Sequence, residues 1–236
     1  MQPMSTTGEP SADARERWTA VDDFVTGLLV GADPVLEETQ RASAAAGLPA
    51  ISVSPPQGKL LGLLARLQHA QSILEIGSLG GYSTIWLARA LPPGGRLITL
   101  EADPGYAAVA RANVARAGLT DQVELRVGRA LQTLPQLAAE GGGPFDLTFI
   151  DADKPATPEY FAWALKLSRP GSLIIADNVV RNGALGDAAS EDPSVRGMRR
   201  FHEMVGVESR VSATTIQTVG SKGYDGFTIA IVDPER

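Results

Sequence analysis

The feature that most restricts the fold is an alternation that begins near residue 71, where short β-rich apolar runs are separated by stretches of helical periodicity. The runs are SILEI from Ser72, RLITL from Arg96, VELRV from Val123, FDLTFI from Phe145 and SLIIA from Ser172. Helical stretches start between them near Gly81, Asp103, Ala130 and Pro158. Several runs are almost continuously apolar, as strands are when helices cover both faces of their sheet. Strand and helix in succession predict a doubly wound α/β sheet with right-handed crossovers. A helix near 195–205 and two last strands, around 214–219 and 226–232, complete a mostly parallel sheet of seven strands.

Residues 1–70 read as an N-terminal helical extension and 71–236 as the sheet domain. In RERWTAVDDFVTGLLV, Trp18, Val21, Phe24, Val25 and Leu28 recur at spacings of three and four and make one amphipathic face. Asp33-Pro34 has the form of an N-cap followed by a first-turn proline, and a third helix runs over 56–69. The chain has no cysteine, which excludes disulfides, thiolate metal sites and a cysteine nucleophile. Its opening residues are polar, and no stretch approaches the roughly 20 apolar residues of a membrane helix, so a cytoplasmic protein without a membrane is expected. A formal net charge of -6 and the lack of a basic run argue against nucleic acid as a partner. Arg196, Arg199 and Arg200 read as a solvated helix face.

Two motifs carry chemistry. The first is ILEIGSLGGYS, a strand, a glycine turn and a helix start. Gly77, Gly80 and Gly81 suit a tight turn and close approach of a ligand to backbone. Leu79 stands where a dinucleotide fingerprint places its second glycine, which counts against NAD. Glu101 closes the second strand, where a carboxylate can accept hydrogen bonds from both ribose hydroxyls. Glu75 lies just inside the end of the first strand, poor ground for an unpaired charge, and a ligand's amino group would explain it.

The second motif is acidic. FDLTFIDADK sets Asp151, Asp153 and Lys154 at the end of the fourth strand, and SLIIADN sets Asp177 and Asn178 at the end of the fifth. Taken singly, such residues more often cap helices or make turns. On neighbouring strands about 4.8 Å apart, Asp151, Asp177 and Asn178 can converge on one point. Two carboxylates and an amide oxygen suit a hard ion such as Mg²⁺, with Mn²⁺ or Ca²⁺ as substitutes. With no cysteine, and with His69 and His202 far off in sequence, zinc is not expected.

LEIGSLGGYS, FIDADK, ADN and the late GYDGF together resemble the cation-dependent O-methyltransferases of the catechol and caffeoyl-CoA type, a class I S-adenosylmethionine (SAM)-dependent family, over about 52–232. The resemblance implies that Val53, Glu75, Gly77, Ser78 and Ser83 hold the methionine part of SAM, Glu101 its ribose, and that Ala130 borders its adenine. It implies Asp151, Asp177 and Asn178 as metal ligands, with Asp151 also near the cofactor, and Lys154 as catalytic residue, either a general base or an ammonium that stabilises the phenolate. The implied acceptor is a small aromatic vicinal diol such as a catechol, flavonoid or phenolic acid, and the implied assembly is a homodimer. Trp18 would then serve a dimer contact or lid, while Trp86 and Trp163 read as core residues. The family pattern often has a tyrosine three residues after the lysine, whereas here Tyr160 falls later, and the loop after Asn178 is individual. Two alternatives stay open, an NAD-dependent oxidoreductase and a methyltransferase of a hydroxylated tRNA base.

Overall fold

A computed structural model describes residues 11–234, so the first part of the polar N-terminus lies outside the described residues. Three helices precede the sheet: α1 (Ala12–Val25), extended by a π-turn over Thr26–Val30, then α2 (Pro34–Ala45) and α3 (Pro55–Leu67). The Asp33 carboxylate accepts from the amides of Val35 and Leu36 at 3.1 Å each, so α2 starts where the Asp-Pro pair predicts. The expected apolar face of α1 is present but only partly covered among the described residues, Trp18 and Val25 being half-buried. Val21, Phe24 and Leu28 are 61–68% exposed. Periodicity identifies an apolar stripe without identifying what covers it. Asp22 of that helix instead accepts from the Ser221 amide at 2.7 Å.

The sheet then alternates with helices: β1 (Ser72–Ile76), α4 (Tyr82–Ala88), β2 (Arg96–Glu101), α5 (Pro104–Arg116), β3 (Val123–Val127), α6 (Ala130–Ala139), β4 (Phe145–Ile150), α7 (Thr157–Lys166) and β5 (Ser168–Asp177). Helix α8 (Pro193–Val207) leads to β6 (Val211–Gly220) and β7 (Gly223–Val232). The seven strands lie in the order β3-β2-β1-β4-β5-β7-β6, and β7 is antiparallel to both neighbours. The doubly wound, mostly parallel sheet is as expected. The last two strands are longer than predicted and meet in a tight hairpin that places GYDGF at the start of β7.

Alternate residues of the strands supply the two cores. Leu74, Ile76, Phe145 and Ile174 pack with Phe161 and Phe201 on one face, while Ile73, Leu97, Phe149 and Ile175 pack with Ile85 and Leu61 on the other. Trp163 and Trp86 pack at the edges of these cores, as expected. Strand order reverses at β1, which opens a crevice at the carboxyl ends of β1 and β4. Register makes those ends level: Ile76 pairs with Ile150, and Ile150 with Ala176. Gly77, Asp151 and Asp177 therefore leave the sheet side by side. No helix among the described residues is long and apolar enough to cross a membrane.

Candidate active site

A cavity of about 920 Å³ lies over these strand ends. That is near the upper end for small-molecule sites and is room for a nucleoside cofactor together with an acceptor. Of the residues singled out in the sequence, Val53, Gly77, Ser78, Ser83, Glu101, Ala130, Asp151, Lys154 and Asn178 line it. Glu75 and Asp177 do not; both are buried behind the wall.

The glycine turn after β1 forms one side. A Cβ on Gly77 would lie 2.2 Å from the Asp151 carbonyl oxygen, and the residue has φ +99°, so only glycine lets β1 and β4 end this close together. Leu79, also at positive φ, turns its amide to Glu101. Glu101 accepts there at 2.8 Å and from the Asp103 amide at 2.9 Å, which fixes the carboxylate at the cavity wall. Its remaining lone pairs are available to a diol.

Glu75 is placed differently from the sequence reading. Its side chain points to the α4 face of the sheet and accepts hydrogen bonds from Ser83 (2.6 Å), Thr84 (2.5 Å) and Thr99 (2.7 Å). Those hydroxyls are the partners that this chain itself supplies to the buried carboxyl. Burial outweighs their effect and pushes it up to about 7. Glu75 thus underlies the site and orients Ser83, which does reach the cavity.

The acidic side is less balanced. Lys154 Nζ lies 2.7 Å from Asp151 Oδ1. Asp177 Oδ2 accepts from Gln57 Nε2 at 2.7 Å and its Oδ1 from the Asn178 amide at 2.8 Å. Burial, then the neighbouring Asp151 charge, pushes Asp177 up to about 7 despite Lys154 and these two donors. The two carboxylates are thus close enough to raise one of them, with Lys154 paired to the other. Asp153 is separately capped by the Tyr160 hydroxyl.

No group of three or more His, Cys, Asp or Glu among the described residues is arranged to hold a metal. The set predicted from sequence has only two carboxylates, its third donor being the Asn178 amide. Its chemistry suits a hard dication: all donors are oxygen, and a cation would favour the charged form of Asp177, which burial and then the Asp151 charge disfavour. Within the chain Lys154 engages Asp151 Oδ1, and both Asp177 oxygens accept, Oδ2 from Gln57 and Oδ1 from the Asn178 backbone amide.

Three contributors were not singled out in the sequence. Gln57 reaches Asp177 from α3 across 120 positions, and only its place in ISVSPPQG, beside Val53, hints at the site. Asp225, within GYDGF, accepts from the amides of Val180, Arg181 and Gly226 and so supports the loop after Asn178. Arg181 on that loop lines the cavity.

A family model described as O-methyltransferase matches residues 29–231. The chain is 58% identical over 213 residues to a catechol O-methyltransferase of Niastella koreensis, covering 90% of this chain and 96% of that one. It is 53% identical over 212 residues to a catechol O-methyltransferase of Mycobacterium tuberculosis, covering 90% and 94%. The crystal structure of an O-methyltransferase from Bacillus cereus in complex with SAH superposes with a TM-score of 0.92 at 58% identity, over 93% of this chain and 100% of that one.

Proposed function

This chain belongs to the O-methyltransferase family, and from that premise we propose that it transfers a methyl group from SAM to a hydroxyl of a small aromatic vicinal diol, with a divalent cation at the acidic strand ends. Membership sets the oxidoreductase alternative aside. The observation that carries the reading is the level register of β1, β4 and β5, which puts the glycine turn and the Asp151–Lys154 pair on one cavity wall.

In this reading the turn at Gly77 and Ser78, with Ser83 and Val53, holds the methionine end of SAM, Glu101 accepts from the ribose hydroxyls, and Ala130 borders the adenine. Glu75 acts through Ser83 and is a positioning residue. Asp151, Asp177 and Asn178 would hold the cation, Mg²⁺ or a similar hard ion. Such an ion supplies positive charge that makes a phenol, with its ordinary pKa of about 10, easier to ionise. Lys154 pairs with Asp151 at the cavity wall, and in this reading it serves the acceptor's hydroxyl either by stabilising the oxyanion or, on leaving that pairing, by taking the proton. Holding the attacking oxygen in line with the methyl carbon removes much of the entropic barrier. The N-terminal helices, with Trp18 half-buried and Phe24 exposed, fit the expected lid or homodimer surface.

The test is transfer of labelled methyl from SAM to catechol, with Mg²⁺ and with excess chelator. We expect turnover that the chelator abolishes. Undiminished turnover in chelator would remove the cation from the scheme, and no transfer to any vicinal diol would remove the acceptor class.

A further inference from the structure

Resting on that reading, we infer that the acceptor carries an anionic group, a carboxylate on its aromatic ring, and that Arg181 receives it. The acids near the acceptor end each have a donor within the protein: Lys154 on Asp151, Gln57 on Asp177, and Tyr160 on Asp153. Arg181 lies three residues beyond Asn178 and lines the same cavity. Its guanidinium has no carboxylate in ion-pair range among the described residues, and its Nε is buried without a hydrogen-bond partner. A guanidinium presents a planar fork of donors that matches a carboxylate two bonds at a time. The Nε itself is closed to solvent, so a ligand carboxylate would meet the guanidinium at its terminal Nη groups.

Arg181 is also held in place, which distinguishes it from a solvated surface arginine. Its backbone takes φ +56°, and Asn178 and Asn182 are left-handed as well, conformations that non-glycine residues adopt only when their surroundings enforce them. The enforcement comes from β7. Asp225 Oδ1 accepts from Val180 at 2.9 Å and Arg181 at 3.0 Å, and the loop's far end is tied by Arg199 Nη1 to the Leu185 carbonyl at 2.7 Å. A Cβ on Gly183 would meet the Tyr224 ring at 3.2 Å, so the tyrosine of GYDGF packs against the same loop. That motif thereby acquires a role: it seats the loop that carries Asn178 and Arg181.

The experiment compares kcat/KM for 3,4-dihydroxybenzoate and for catechol in the wild type, Arg181→Gln and Arg181→Lys. The wild type should favour the carboxylated acceptor. In Arg181→Gln the ratio of the two kcat/KM values should fall about 10- to 100-fold, chiefly through KM, as expected for one lost charged hydrogen-bonding pair. Arg181→Lys should restore part of it, and SAH affinity should not follow the ratio. An unchanged ratio would overturn the assignment. A fall in SAH affinity matching the loss would place the arginine on the cofactor carboxylate and overturn it too. Failure of the wild type to methylate either diol would instead overturn the underlying reading.

Discussion

The two halves of the crevice differ in how completely the protein satisfies itself. On the β1–β2 side, Glu75 has three hydroxyl partners and Glu101 is held by backbone amides. On the β4–β5 side, two carboxylates share one lysine, and Asp177 is pushed up to about 7. The first half is a cradle whose acids are held by hydrogen bonds within the chain, and the proposal gives it the cofactor. Burial raises Glu75 and Asp177 alike, but at Asp177 the charge of a second carboxylate, Asp151, is the next largest cause, whereas at Glu75 it comes behind the three hydroxyls. The Asp177 side is the half to which the proposal assigns chemistry.

If this contrast is right, substitutions on the acidic side should strike turnover and those on the glycine side should strike affinity. Asp177→Ala should lower kcat about 10³-fold or more, since charge stabilisation by a cation is worth several kcal/mol, while SAH affinity measured by calorimetry stays within about twofold. Lys154→Ala should lower kcat by about 10²- to 10³-fold, again with cofactor affinity nearly constant in the same titration. Glu101→Ala should weaken SAH binding about 10- to 100-fold, the value of hydrogen bonds to a charged acceptor, with a smaller change in kcat at saturating SAM. If Lys154→Ala and Glu101→Ala gave the same pattern, the division of labour would be wrong.

The smallest effect concerns stability. Glu75 binds its proton more tightly folded than unfolded, so its contribution to stability is greatest below pH 4.5 and is lost as the pH climbs through about 7. The full difference is on the order of 3 kcal/mol. In Glu75→Gln that part of the pH dependence should vanish from thermal unfolding curves recorded between pH 4.5 and 7.5. A variant with the wild-type slope would show that the carboxyl is charged throughout.

The sheet is readable because its central strands β1, β2 and β4 are buried on both faces and so read as mostly apolar runs, and because Asp33 and Asp103 cap helices through neighbouring amides. The site was readable where its residues follow strand ends directly, as Gly77, Asp151 and Asn178 do. What escaped depends on distance along the chain. Glu75 appeared to need a cation because Thr99, which satisfies it, lies on another strand. Gln57 and Asp177 meet across the whole front half of the fold. The periodicity of α1 gives its apolar stripe, yet it does not say what covers Val21, Phe24 and Leu28, which stay exposed among the described residues.

Binding of Mn²⁺ followed by electron paramagnetic resonance, with SAH present, tests the acidic strand ends most directly. The account predicts one tightly held ion per chain in the wild type and none in Asp177→Ala. Equal binding by both proteins, or no binding by either, would contradict it.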